Sequence, residues 1–279
     1  MKMQSNQATR RRNWASGVWR GLLGAVVLLA CAAPLRAEQP LRLRVLCYNI
    51  HHAEGVDGKL DLERIAGVIL SVKPDIVALQ EVDQRATRSE SVDQPAELAR
   101  LTGMQVAFGA NIPLQGGHYG NAMLSRFPIT DHQNRLLPNR NNGEQRGVLS
   151  STLKVPGLGE PLRLLATHLD HRGDDGERIA SAKAINQLID ASSQQPTLLA
   201  GDMNDVIGSP TLQIYDKMWT RANDQPLPTI PVAEPTRQID FILFRPRDDW
   251  KVVEVKVLDE AVASDHRPIL AVLEYVGGE

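Results

Sequence analysis

Residues 41–83 read LRLRVLCYNIHHAEGVDGKLDLERIAGVILSVKPDIVALQEVD, and this stretch decides the fold class. Leu41, Leu43, Val45 and Cys47 recur at every second position, the period of a β-strand. Asp61 stands where a helix N-cap would accept a backbone N–H, with Leu60 and Ile65 spaced as a hydrophobic staple. Ile65, Val68, Ile69 and Val72 follow at i, i+3, i+4 and i+7, one face of a helix. Pro74 ends that helix. Asp75–Gln80, DIVALQ, is short and apolar, as a buried strand should be.

Working outward, Pro95–Leu101 reads as a short helix. Strands are expected at Asn121–Leu124, Gly147–Val155 and Leu162–Thr167. Ile179, Ala182, Ile185, Leu188 and Ile189 mark a second long helix. Further strands are expected at Thr197–Ala200, Ile239–Phe244, Val252–Val257 and Ile269–Tyr275. The loop from Asn223 to Arg237 is Pro-rich, and long loops in compact domains are often functional. Many strands and few helices imply an α/β sandwich of two packed, mixed sheets with helices outside.

Residues 1–37 read differently. Lys2, Arg10, Arg11, Arg12 and Arg20 precede an apolar run from Gly21 to Ala33. That run is shorter than the roughly 20 residues that span a bilayer. Leu35-Arg36-Ala37 offers a small residue before Glu38, so 1–37 has the pattern of a signal peptide. The expected mature chain, 38–279, is one domain, found in the periplasm or secreted. Two other export readings are open: a twin-arginine signal at Arg11-Arg12, and a lipoprotein site at Leu28–Cys31 that would anchor the chain.

The whole chain is 42% hydrophobic and 23% charged, which fits an ordinary soluble protein and excludes disorder or coiled coil as a whole-chain description. Removing 1–37 takes away six basic residues and no acid, leaving 25 basic against 33 acidic, a net of −8. Such a chain has no general attraction to polyanions, the attraction that dominates nucleic-acid affinity. Only 4% of residues are aromatic, too few to suggest a stacking platform for single strands. Cys47 stands alone once Cys31 is gone, so no intramolecular disulfide is expected.

The polar residues are informative by position. Asn49 follows the first strand, Glu81 follows DIVALQ, and His168 follows LRLLAT. Asp202 and Asn204 follow TLLAG; Asp240 opens a strand; Asp265-His266 precede the last one. Singly, each has a structural use: a turn Asn, a surface acid, a local cap. In antiparallel sheets strand starts and neighbouring strand ends share an edge, so together these groups could meet on one rim. Carboxylates and amide oxygens suit a hard cation such as Mg²⁺, and histidines suit proton transfer.

These residues carry a resemblance. LCYNIHH, LQEVD, GNAMLSRFPI, THLDH, GDMND, QIDFIL and SDHRP resemble, in order, the motifs of the endonuclease/exonuclease/phosphatase superfamily. GDMND and SDHRP are the most specific. The resemblance implies a four-layer α/β/β/α sandwich and a metal-dependent phosphoesterase. It implies Glu81 as the main Mg²⁺ ligand, Mn²⁺ being a substitute, with Asn49 and Asp265 beside the metal. His266 would activate water and Asp240 would orient it. Asp202 and Asn204 would position the attacking water and the phosphate. His168 would contact the phosphate on the leaving-group side, and Tyr119 and Arg146 would line the site. Attack would be direct, because no nucleophile elbow of the G-x-S-x-G kind appears.

His51-His52 follow Asn49 and could reach the substrate, but read first as a surface loop; His118 and His132 read as structural or solvated. His168 and His171 lack the companions of a zinc motif. The expected substrate is a small-molecule or lipid-headgroup phosphodiester, with no stable protein partner and a monomeric state. A secreted DNA endonuclease is the alternative, if Arg85, Arg88, Arg126, Arg140 and Arg146 form a basic strip. A catalytically inactive binding module on the same fold is the reading from another class, and intact Glu81, Asp202, Asn204, Asp240 and His266 speak against it.

Overall fold

Two six-stranded sheets form the middle of the molecule. The computed structural model describes residues 40–140, 142–189 and 193–277; the expected signal peptide, with Cys31, lies outside them. The strands are β1 (Arg42–Asn49), β2 (Ile76–Gln84), β3 (Gln105–Leu114), β4 (Gly117–Ser125), β5 (Ile129–Leu136) and β6 (Gly147–Leu153). They continue with β7 (Leu162–His168), β8 (Thr197–Asp202), β9 (Thr220–Arg221), β10 (Asp240–Arg245), β11 (Trp250–Val257) and β12 (Ile269–Tyr275). The helices are α1 (Leu62–Ser71), α2 (Gln94–Thr102), α3 (Gly176–Gln187) and α4 (Pro210–Tyr215). One sheet has the order β11-β12-β1-β2-β4-β3 and the other β5-β6-β7-β8-β10-β9. Among the described residues only β1 with β2 and β7 with β8 pair in parallel; every other ladder is antiparallel.

Alternation along each strand builds three apolar layers. Leu43, Val45 and Cys47 of β1, Ile76 and Ala78 of β2, Leu164 and Ala166 of β7, and Leu198 and Ala200 of β8 fill the layer between the sheets. Cys47 is buried there as a free thiol. The intervening Leu46, Tyr48, Val77 and Leu79 face the opposite way, against Ile65, Ala66 and Ile69 of α1 and Leu98 of α2. Leu165, Leu199, Phe241 and Leu243 likewise meet Ala182 and Ile185 of α3 and Leu212 and Tyr215 of α4. Period-two strands apolar on both faces need cover on both faces, and this gives the α/β/β/α order.

Helix starts follow the local sequence. The Asp61 carboxylate accepts from Arg64 N at 2.8 Å. Asp93 caps α2 with Pro95 in its first turn, and Gly103 ends it at φ 69°. Ser209 caps α4, followed by Pro210. Strands β3, β5 and β9 and helix α4 were not expected from the sequence. All three strands lie at sheet edges. β5, ITDHQNRL, is exposed along nearly its whole length and so lacks the apolar alternation that reveals a strand.

The topology gathers strand ends. The C-terminal ends of β1, β2, β7 and β8 and the N-terminal starts of β4, β6, β10 and β12 lie on one rim. Gly201 allows β7 and β8 to close up there: a Cβ on it would stand 2.2 Å from the Thr167 carbonyl oxygen. Among the described residues no helix is long and apolar enough to cross a membrane.

Candidate active site

The rim holds a cleft of about 390 Å³ lined by Glu81, Tyr119, Arg146, His168, Asp202, Asn204, Asp265 and His266. Every site residue named from the sequence lies at or directly beneath it. Asn49, the last residue of β1, is fully buried and joins the two sheets. Its Nδ2 donates to Glu81 Oε1 at 2.9 Å and to Asp202 Oδ2 at 3.2 Å, while its Oδ1 accepts from His51 N at 3.1 Å.

Glu81 does not follow β2; it interrupts it. The β2–β4 register shifts between Leu79 and Val82, and Glu81 has φ 59°. A bulge re-aims a side chain that regular pleating would bury, and here the half-buried carboxylate reaches the cleft. Asp265 is exposed on the facing wall, next to Ser264 at 3.4 Å. Neither acid has an ion-pair partner among the described residues, so both oxygen sets are open to a hard cation. The donor chemistry therefore fits a divalent ion. A second group, Asp202, Asp240 and His266, also places ligand atoms within 4.8 Å of one another.

His168, Asp202 and Asp240 are consecutive register partners across β7, β8 and β10. His266 lies over them, its Nδ1 2.9 Å from Asp240 Oδ2 and its Nε2 3.8 Å from Asp202 Oδ2. Burial by itself would lower the His266 pKa. The Asp240 charge and hydrogen bond, with Asp202 and Asp265, override burial and push it up to about 10. Asp202 is pushed up to about 7, first by burial and then by Asp240. Asp240 Oδ2 also accepts from Thr229 Oγ1 at 2.6 Å.

His168 is the opposite case. Burial, then Arg146, His266 and His171, hold its pKa well below the ordinary histidine value. Arg146 Nη1 lies 3.1 Å from His168 Nδ1, and arginine only donates. At the other side of the ring, Nε2 lies 3.4 Å from Asp202 Oδ2 and 3.0 Å from Asn204 Nδ2, so donor groups face both ring nitrogens. Asn204, at φ 49°, is itself held by Asp202 Oδ1, which accepts from its backbone N at 2.9 Å.

The wall holds Arg146 and Tyr119, as the resemblance implied, together with residues it did not name. Arg146 is buried, bridging His168, His171 (3.3 Å) and Glu144 (2.6 Å). Arg88 is clamped by Asp83 through two 2.8 Å bonds and lies 5.3 Å over the Tyr119 ring. Tyr119, buried beside Glu81, has its hydroxyl pKa raised by burial and by that charge. His51 lines the cleft and His52 is buried, so this pair is not a surface loop. His118 and His132 are exposed. Thr229 lies in the Pro-rich loop whose length alone marked it.

The five arginines do not form a continuous strip. Arg126 pairs with Asp75 at the start of β2, the far end from the cleft. Arg85 is turned to Asp93, and Arg140 lies outside the cleft lining. Only Arg88 and Arg146 face the cleft.

Comparison with known proteins agrees with this arrangement. The chain is 29% identical over 250 residues to the uncharacterized protein YbhP of Escherichia coli (strain K12), covering 84% of this chain and 96% of that protein. The crystal structure of an endonuclease/exonuclease/phosphatase from Beutenbergia cavernae matches with a TM-score of 0.74 and 29% identity, over 85% of this chain and 72% of the other. A mannosyl-6-phosphatase from Bacteroides thetaiotaomicron shares the fold at a TM-score of 0.68 and 19% identity, over 84% of this chain and all of that one. The family model matches residues 46–266, from within β1 to the histidine of the SDHRP motif, and the chain belongs to the endonuclease/exonuclease/phosphatase family.

Proposed function

We propose that the protein is an exported, Mg²⁺-dependent hydrolase that cleaves a small phosphodiester, free or as a lipid headgroup, by in-line attack of water. The observation that carries this reading is the convergence of Glu81, Asn49, Asp202, Asp240 and His266 at one cleft with buried Arg146 in its wall. Glu81 and Asp265, with Asn49 beside them, would hold Mg²⁺, or Mn²⁺ in its place. That cation supplies neutralisation of charge on the phosphoryl oxygens.

The remaining work belongs to the chain. Asp202 accepts the proton of the attacking water as the new P–O bond forms, and the leaving oxygen departs with its electron pair. A carboxylate raised to about 7 is well matched to this, because a base works best near the operating pH. Asp240 and Asp202 raise the His266 pKa, and the ring, held over them, is placed to exchange a proton with the phosphoryl group or the water. Asp240 fixes the His266 ring through Nδ1, and Thr229 fixes Asp240. His168 stays neutral and steadies Asp202, while Asn204 and Arg146 stand as preorganised donors on the leaving-group side.

The size of the cleft and the scattered arginines favour a small substrate over a DNA duplex. The fold shared with a mannosyl-6-phosphatase supports a small phosphorylated compound too. The test is a hydrolysis screen with bis-p-nitrophenyl phosphate, glycerophosphodiesters, sphingomyelin, inositol phosphates, a sugar phosphate and plasmid DNA. The expected result is diester cleavage that is abolished by EDTA and restored by Mg²⁺. Cleavage confined to monoesters or to DNA, or no cation-dependent cleavage, overturns the reading.

A further inference from the structure

We propose that His51, His52 and Glu81 form a site for a borderline first-row dication of the zinc or cobalt(II) class, beside the oxygen-lined position for Mg²⁺. One ligand atom from each of the three lies within 4.8 Å of the others. The site shares Glu81 with the proposed reaction centre and rests on that reading only through this ligand.

The tautomers are set by one neighbour. His51 Nδ1 is 3.0 Å from the Glu54 carbonyl oxygen, and His52 Nε2 is 3.1 Å from Glu54 Oε2. Both oxygens only accept, so each ring directs its N–H at Glu54. The lone pairs left over are on His51 Nε2 and His52 Nδ1. His52 Nδ1 is buried and has no hydrogen-bond partner. A buried nitrogen lone pair left unpaired is costly, and its satisfaction by a cation gives it a purpose. A ring whose other nitrogen donates to a carboxylate or carbonyl is the usual arrangement of a metal-bound histidine.

The backbone supports the same assignment. His51, His52 and Ala53 have φ of 45°, 44° and 64° in succession. Non-glycine residues adopt this region only at a cost, and a run of three persists where the surroundings enforce it. Here His51 N donates to Asn49 Oδ1 at 3.1 Å, and Gln94 Nε2 donates to the His52 carbonyl at 2.7 Å. Two imidazoles with one carboxylate select zinc-like ions over Mg²⁺. Three protein ligands would leave a fourth coordination position for a water or another donor.

The experiment is a Co²⁺ titration of chelator-stripped protein, followed by visible ligand-field absorption and calorimetry, with and without excess Mg²⁺. Wild type should bind one Co²⁺ with visible bands that survive the Mg²⁺. His51→Ala and His52→Ala should weaken Co²⁺ at least tenfold, and Glu54→Ala by about 10–100-fold, with Mg²⁺ affinity retained. If His52→Ala fails to fold, His51→Ala decides. Unchanged Co²⁺ affinity and spectrum in folded His51→Ala, or displacement of Co²⁺ by an equal concentration of Mg²⁺, overturns the proposal. Failure of the hydrolase reading would look different: Co²⁺ binding would still depend on the histidines while the substrate screen stayed silent.

Discussion

Asp202 and Asp240 are direct cross-strand partners on β8 and β10, and both carboxylates are buried. Like charges placed opposite each other destabilise a sheet, and these two are tolerated because His266 stands between them. The raised pKa of His266 contributes stability that is complete below its unfolded value and lost as pH rises through about 10. The raised pKa of Asp202 works in the same sense: its proton favours the fold at low pH, and that gain is lost as pH rises through about 7.

His266→Ala should therefore destabilise the cation-free protein more at pH 8 than at pH 5. At pH 8 the loss should be about 3–5 kcal/mol, the cost of stranding buried charge. At pH 5 protonation of Asp202 should relieve most of it. Urea unfolding in EDTA at the two pH values measures this. Equal losses at both would mean that the histidine acts through packing alone.

Thr229 is a positioning residue for the same pair. Its hydroxyl donates to the oxygen of Asp240 that also faces His266. Thr229→Val keeps the shape and removes the donor, so a buried acceptor loses one partner at about 1–3 kcal/mol. The His266 ring should gain mobility, seen as broadened imidazole NMR signals and a lower kcat with little change in KM. Thr229→Ser should restore both. A Thr229→Val protein with wild-type kcat and sharp His266 signals would remove this role.

The strands that carry β1, β2, β7, β8, β10 and β12 were legible because each is buried and apolar, and periodicity reports burial. Their ends were legible for the same reason: Asn49, His168, Asp202 and Asp240 stand out as polar residues terminating apolar runs. Edge strands β3 and β5 gave no such contrast. Glu81 was placed correctly in the chain but not in geometry, since a bulge is a register event between β2 and β4 and leaves no mark on β2 alone. Thr229 and the His51-His52 turn escaped because their significance lies in contacts: a hydroxyl near Asp240, and a left-handed backbone pinned by Asn49 and Gln94. The arginine strip failed because linear proximity says nothing about which end of a strand a side chain occupies.

Glu81→Gln tests the hard-cation site. A neutral amide is a poor ligand for Mg²⁺, while Gln retains the length needed to stay near Asn49 Nδ2. Calorimetry should show Mg²⁺ affinity reduced at least tenfold, with hydrolysis lost in parallel and partly recovered at high Mg²⁺. Full activity of the variant at sub-millimolar Mg²⁺ would remove Glu81 from the cation site.

Export is tested at the N-terminus. The basic start, short apolar run and Leu35-Arg36-Ala37 site predict a mature chain beginning near Glu38. N-terminal sequencing of periplasmic or secreted material should give that start. A lipid-modified Cys31 would instead select the lipoprotein route, and retained Met1 on the functional protein would overturn both.

Substrate size is tested by salt. A protein that neutralises many phosphates of a duplex releases as many counterions, and its affinity then falls steeply as salt rises. The cleft here presents two arginines, Arg88 bound to Asp83 and Arg146 bound to Glu144, so much of their charge is already compensated. Arg126 is at the opposite end of the sheet, held by Asp75, and can add nothing to a track through the cleft. The chain from residue 38 onward is net acidic as well. A small diester would touch only the groups at the cleft floor, so its kcat/KM should vary less than about threefold between 50 and 200 mM salt, whereas six to ten phosphate contacts would lose roughly 10³–10⁵ in affinity over the same range. Plasmid cleavage, if present, should be slow at low salt and show no steep decline. Efficient nicking at 50 mM salt that collapses by 200 mM would demonstrate a polyanion track and reverse the assignment of substrate class. In that event Arg85→Ala and Arg140→Ala, outside the cleft, would be the variants to flatten the salt slope, while Arg126→Ala would leave it unchanged.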